Sequence, residues 1–326
     1  MYAHLSVHSR YSLLDALPQI DPLVDTASNF GMPALALTDR NNMYGAIEFY
    51  KSATKKGLKP ILGVDADFQI GAQTGHLILL ARNKAGYQHL IKLVSSMHLS
   101  GGAKPHFTQA DIDKYGDGLL ALIPDTALLA PGADTLVEAM IAALGKEFVY
   151  ARLGWNGGSE RQLRTVGVAR ALCLPIVAAD GTYYLKKEDG TPRDIVRRIA
   201  IPDATPDGND RHFISPKDFD ERYVEYRDAL DNIQTIVDAC TLELDLGNWI
   251  FPKFDIPAGT SYEGELKKAT LAGISWRGLS DSPEVLSRID YELGIINDKG
   301  FAPYFLTVSD LLAYAKSAGI LTTTRG

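Results

Sequence analysis

The chain has 326 residues, 46% of them apolar and 22% charged, with a formal net charge of −7. That length holds two domains, or one α/β barrel with an appendage, around a substantial core. The negative balance argues against a general nucleic-acid-coating surface, which needs a basic stripe, but allows a local contact made by a few arginines.

The first fifteen residues read MYAHLSVHSRYSLLD, and His4, Ser6 and His8 stand two apart. On a β-strand alternate side chains share a face, so these three line up, with Asp15 a few residues on. Two imidazoles on one strand are a plausible start to a metal site, although the middle position is a serine. Asp21-Pro22 then predicts an N-cap and first helical residue, with Gly31 as the stop. Pro33 to Leu37 is a short apolar strand leading into Thr38-Asp39-Arg40. A helix from about Tyr44 to Lys56 stops at Gly57 before the strand Pro60 to Val64. The strand His76 to Ala81 is followed by a helix carrying Tyr87, Leu90, Ile91 and Val94. Strands at Leu119 to Ile123, Glu147 to Leu153 and Pro175 to Ala179 alternate with helices at Leu136 to Leu144 and Arg161 to Leu172.

Seven short apolar strands, most followed by a helix, predict parallel βαβ units in a doubly wound sheet or a closed barrel. No GxGxxG or GxxxxGKS/T is present, which speaks against the nucleotide-binding versions. A barrel gathers chemistry at the C-terminal ends of its strands, where His8, Asp39-Arg40, Asp65, Asp125 and Asp180 would converge. Strand direction alone puts His76 at the opposite rim.

Beyond Asp180 the pattern changes. Helices are expected over Arg193 to Ile201, Tyr226 to Cys240, Tyr262 to Leu279, Ser282 to Lys299 and Val308 to Ala318. A polar loop covers 201–211, and Asn248 to Gly259, with Pro252 and Pro257, is the best linker. Ending on Gly326 after a strand-like run reads as a cut end. Cys173 and Cys240, far apart and in no CxxC pattern, fit a reducing cytoplasm and are expected inside helix packing. His4 reads as structural, and His89, His98, His106 and His212 as surface residues. With no apolar signal region and no stretch approaching eighteen apolar residues, a soluble cytoplasmic protein is expected, with no membrane role.

Three long stretches carry a resemblance: YSLLD (11–15), the run from Pro33 to Val64, and the run from His76 to Leu93. They closely resemble the N-terminal region of bacterial DNA polymerase III alpha subunits, a PHP domain (polymerase and histidinol phosphatase) built as a seven-stranded β/α barrel. LPIVAADGTYYLKKED (174–189) resembles the last barrel strand and its loop. FPKF (251–254), the run from Ile296 to Ile320 and the closing TTTRG resemble the start of the polymerase palm. The resemblance therefore implies an α/β fold: a PHP-type (β/α) barrel over 1–250, then a mostly helical partial palm over 251–326. It implies template-directed DNA synthesis by the full-length protein, a DNA-directed DNA polymerase using Mg²⁺ at palm aspartates beyond Gly326. It also implies DNA, nucleotides, a proofreading exonuclease subunit and a sliding clamp as partners.

Carried residue by residue, the family's HxH falls on Ser6 and His8, and the next acid on Asp15. The TDHGN motif reads Thr38-Asp39-Arg40-Asn41-Asn42, so its histidine has become Arg40. A glutamate falls on Asp65, a histidine is kept as His76, a cysteine falls near Asp125, and a final Asp-x-His falls on Gly181 and Tyr183. About half of the ligands are thus absent, whereas each metal needs about four to six. Arg40, which cannot be deprotonated in a protein, adds a fixed charge where a cation would sit, and its fork could bind Asp15, Asp65 or Asp125. Two readings of His8, Asp15, Arg40, Asp65, His76 and Asp125 stand. One is a degenerate network with no catalytic residue, in a fragment that folds and docks. The other is a surviving Zn²⁺ or Mn²⁺ site on His8, Asp15, Asp65 and His76, as a metal-dependent 3′–5′ exonuclease or phosphoesterase requires. A damage-tolerant alpha homologue is the further alternative for the parent.

Overall fold

The computed structural model of the chain describes every residue except 1, 101–103, 156, 157, 248, 249, 252 and 324–326. Arg325-Gly326 and part of the expected linker thus lie outside the described residues. The chain divides into two compact units, Met1–Leu244 and Asp245–Gly326.

The first unit is a curled mixed sheet with helices around it. Its strands are β1 (Ala34–Leu37), β2 (Lys59–Ile70), β3 (Gln73–Ala81), β4 (Phe107–Thr108), β5 (Leu119–Pro124), β6 (Val149–Leu153) and β7 (Ile176–Ala178). They run in the order β1-β2-β3-β5-β6-β7, with β4 beside β2. Continuous buried runs such as Leu77–Ala81 and Leu119–Ile123 mark strands covered on both faces.

Two departures from the expected strands shape the site. First, β2 extends to Ile70 and turns at Gly71 (φ 58°) straight into β3, which pairs with it antiparallel, as does β5 with β3. No helix intervenes, so a crossover to a parallel neighbour is ruled out here. Second, the opening segment is an extended seam, not a regular strand. Ala36 N–H donates to His4 O (2.9 Å), Thr38 N–H to Val7 O (2.8 Å) and Thr182 N–H to Ser6 O (2.9 Å); His8 N–H donates back to Thr182 O (2.9 Å). The Thr38 hydroxyl takes Val7 N–H at 2.9 Å, which interrupts the ladder. Residues 4–8 thereby join β1 to the segment after β7, linking the two edges of the sheet.

The helices of this unit are α1 (Ile20–Asn29), α2 (Ala46–Lys55), α3 (Lys84–Leu99), α4 (Gln109–Tyr115), α5 (Asp125–Leu128), α6 (Ala133–Leu144), α7 (Gly158–Ala171), α8 (Gly190–Ala200), α9 (Pro216–Arg222) and α10 (Arg227–Ala239). Helix α1 begins two residues earlier than Asp21-Pro22 predicts, with Gln19 as N-cap, because Ile20 is fully buried in the core. Helix α3 is capped by Asn83, whose side chain accepts Gly86 N–H at 3.0 Å. Cys240 is buried, but Cys173 is exposed: it ends the α7 turn at φ 53°, which directs its side chain outward.

The second unit holds α11 (Tyr262–Trp276), α12 (Pro283–Asp298) and α13 (Ala302–Ser317) around Leu266, Leu293, Ala302 and Leu306. Ser282 caps α12 by accepting Val285 N–H, with Pro283 at the first turn. Helix α13 starts six residues before the expected Val308. Among the described residues no helix is long and apolar enough to cross a membrane.

One close approach sets the position of α3. A Cβ on Gly86 would sit 2.0 Å from Gly118 O. Gly86→Ala is therefore expected to destabilise the protein by about 1–3 kcal/mol through backbone displacement. Gly167, exposed in α7 with nothing within 4 Å of a built Cβ, should instead stabilise by ~1 kcal/mol when changed to Ala. Urea midpoints of the two variants check the opposite signs.

Candidate functional site

The site grows from the end of β2. After β1, residues 39–41 continue alongside β2: Asp65 N–H donates to Asp39 O (3.1 Å) and Asn41 N–H to Asp65 O (3.0 Å). Asp65 and Asp67 are two apart and so share one face of β2. The antiparallel register puts His76 opposite Asp67, which brings the start of β3 to the rim where the neighbouring strand ends. This corrects the opposite-rim position inferred from parallel strands. The seam supplies His8.

Three donors converge on Asp65, which is fully buried. His76 Nδ1 lies 2.7 Å from Oδ1, Arg40 Nη1 donates to Oδ1 at 2.8 Å, and His8 Nε2 lies 3.1 Å from Oδ2. Burial pushes the Asp65 carboxyl up, but His76, His8 and Arg40 outweigh it and hold the group well below the usual carboxylate range. The other arm of Arg40 reaches Asp67, which also accepts from Asn41 Nδ2 at 2.8 Å. On the far side of His8, Nδ1 faces Thr182 O at 3.2 Å, and the ring lies parallel to Tyr183 with centroids 4.1 Å apart. Burial, then the charges of Asp65 and Asp15, push the Tyr183 phenol up to about 12.

Of the residues singled out in the sequence, His8, Arg40, Asp65 and His76 meet, while Asp15 and Asp125 are engaged elsewhere. Asp15 accepts from Arg193 Nη2 at 2.8 Å. Asp125 pairs with Arg161. Asp180 pairs with Arg222 at 2.9 Å and also accepts from the Tyr223 hydroxyl and from Trp155 N–H. Asp39 is buried and accepts Ser9 N–H (2.7 Å), Ser9 Oγ (2.8 Å) and Ser12 Oγ (2.7 Å), pinning the loop after the seam. Its carboxyl is raised because burial outweighs these bonds. Ser6 is fully buried and its hydroxyl has no partner. A side chain on Gly181 would meet Arg152 Nη2 at 3.1 Å.

Sequence reasoning missed Asp67, although its place two residues after Asp65 signalled a shared face. It also missed Arg193, Asp207 and Arg211, for which no local signal exists. Among the described residues, no group of three or more His, Cys, Asp or Glu is disposed to hold a metal ion.

The model of the PHP domain family matches residues 4–143, and that of the bacterial DNA polymerase III alpha NTPase domain matches residues 264–326. The DNA polymerase III subunit alpha of Borreliella burgdorferi is 32% identical over 347 residues, covering 96% of this chain and 30% of that protein. The corresponding subunit of Bacillus subtilis is 30% identical, covering 98% of this chain and 30% of that protein. The error-prone DNA polymerase of Symbiobacterium thermophilum is 30% identical, covering 100% of this chain and 33% of that protein. The chain thus spans about a third of the length of these relatives. Among solved structures, an amidohydrolase from Chromobacterium violaceum has a TM-score of 0.44 at 16% identity, covering 56% of this chain and 88% of that one.

His4, deeper along the seam, is structural: it is buried, and its Nε2 lies 3.1 Å from Ile214 O. Burial lowers its pKa from 6.5 to about 4. Between those values the unfolded chain binds the proton and the folded chain does not, so stability falls as pH drops from about 6.5 to about 4. The loss is about 3 kcal/mol. Urea midpoints measured from pH 7 to 4.5 should decline, and His4→Gln should decline less over that range.

Proposed function

We propose that the chain belongs to the bacterial DNA polymerase III alpha family and serves there as an N-terminal folding and docking module whose PHP site is vestigial. Residues 1–250 are assigned to the PHP region and 251–326 to the start of the polymerase region; the change of compact unit at Leu244 supports this division. In the full-length protein the module contributes to template-directed DNA synthesis in the cytoplasm, with Mg²⁺ bound by residues outside this chain. DNA, nucleotides, a proofreading exonuclease subunit and a sliding clamp are its proposed partners.

The observation that carries the vestigial reading is the clasp on Asp65. Its oxygens already accept from a guanidinium and two imidazoles. His8 Nε2, the nitrogen left for a ligand when Nδ1 donates to Thr182 O, faces Asp65 Oδ2 at 3.1 Å. Arg40 places a permanent positive charge within 2.8 Å of the one acid that the seam, β1 and β3 all surround. These residues do not fit a Zn²⁺ or Mn²⁺ cluster. The 30% identity to an error-prone polymerase, beside 30–32% to polymerase III alpha subunits, keeps a damage-tolerant homologue as the second reading for the parent.

Protein dialysed against Zn²⁺ or Mn²⁺ and then desalted should carry far less than one metal per chain by elemental analysis. It should release no nucleotide from a labelled single-stranded 3′ end. Asp65→Ala should leave both results unchanged while lowering stability by about 3 kcal/mol, because it strips Arg40, His76 and His8 of their shared acceptor. Stoichiometric metal that disappears in Asp65→Ala would overturn the reading.

A further inference from the structure

Asp65 is not the only rim carboxylate with its own arginine, and the arginine on Asp15 is unlike the others. Arg193, on α8, has only 5% of its side chain exposed. Each of its three guanidinium nitrogens donates to one of two segments, around Asp15 and around Asp207. Nε donates to Asp15 O, Nη2 to Asp15 Oδ1 and Nη1 to Asp207 Oδ2, each at 2.8 Å. Its guanidinium carbon lies 4.1 Å from the Tyr183 ring centroid. Since His8 covers one face of that ring, Arg193 covers the other. The result is a stack of Arg193, Tyr183 and His8 ending on Asp65.

Asp207 belongs to the polar loop between α8 and Phe213. It also accepts from Arg211 Nε at 2.9 Å, and Arg193 and Arg211 overcome its burial to hold its carboxyl far below the usual range. Tyr183 N–H donates to Arg211 O (3.0 Å), and Arg211 N–H donates to the Tyr184 hydroxyl (2.9 Å). Residues 201–211 place no apolar side chain in the core, so polar bonds must order this loop. Ile195, Ile199 and Ile201 face solvent, so aliphatic burial does not hold α8 down either.

We infer that Arg193 is a second built-in cation of the barrel mouth, latching α8 and the 201–211 loop as a strap across Tyr183 and sealing the His8 side of the Asp65 site. This rests on the reading of the mouth as a vestigial metal site, with two guanidiniums in place of exchangeable ions. A planar fork suits the role because it spans two carboxylates and an aromatic face at once, which a lysine ammonium cannot.

Amide hydrogen exchange on the whole chain tests the latch. Arg193→Ala should speed exchange at least tenfold in residues 12–17 and 201–211 and leave β5 unchanged. Arg193→Lys should do the same, having charge without the fork. Unchanged exchange in Arg193→Ala, or full protection in Arg193→Lys, would overturn the latch. Should Arg193→Ala lose protection in β5 as well, Asp207→Asn decides: tenfold faster exchange within 201–211 alone supports the strap, and no change overturns it. Metal content of the same preparations bears only on the vestigial reading. Bound metal together with accelerated exchange would sink that reading and leave the latch standing.

Discussion

A carboxylate with no exposed surface is tolerated only where matched charge and hydrogen bonds replace the water it has lost, and Asp65 is such a group. The requirement reaches well beyond one ion pair. His8 arrives on the seam, Arg40 on the stretch after β1, and His76 on the hairpin strand β3. Each of those segments is also fixed by backbone bonds: the seam to both edges of the sheet, residues 39–41 to β2, and β3 to β2 and β5. Misplacing any one leaves a buried charge under-compensated. The carboxylate therefore works as a register check on how the sheet curls and joins.

A guanidinium and a metal ion solve this problem differently. A bound metal can dissociate, and its ligands must be deprotonated before it binds. Arg40 is covalently part of the chain and stays charged throughout the working pH range; Asp65 and Asp67 strengthen its hold on its proton against the opposing effect of burial. Arginine–aspartate pairing recurs elsewhere in the first unit, with Arg193 on Asp15, Arg161 on Asp125 and Arg222 on Asp180. These pairs differ in consequence. Arg161 is 39% exposed, so its pair is screened by solvent, whereas Arg193 is enclosed and couples segments far apart in sequence.

Much of this was legible in the chain, and the gaps have physical reasons. Alternating apolar strands and helices specified the α/β class, and the HxSxH spacing placed His8 on an inward-facing seam. The strand that misled was β3. Its apolar run reads the same in either direction, and the turn that reverses it is Gly71-Ala72, weaker than an Asn-Gly signal. Once β3 is antiparallel, His76 belongs at the mouth. The seam departs from a regular strand because the Thr38 hydroxyl captures a backbone donor, an event no periodicity encodes. Arg193 lies 178 residues from its partner Asp15, and helical spacing on α8 gives no reason to bury an arginine while isoleucines face water. Such long-range charge pairing appears only when the fold is in hand.

The pairing of the rim arginines also determines what the mouth offers to a phosphate backbone. Clustered arginines on one rim would ordinarily form a basic patch that attracts nucleic acid. Here Arg40 faces two aspartates, and Arg193 and Arg211 share Asp207, with Asp15 beyond. Arg161 and Arg222 each face one. Local positive charge is therefore cancelled within a few ångströms, in a chain whose overall balance is already −7. An incoming phosphate would have to displace a carboxylate already in place.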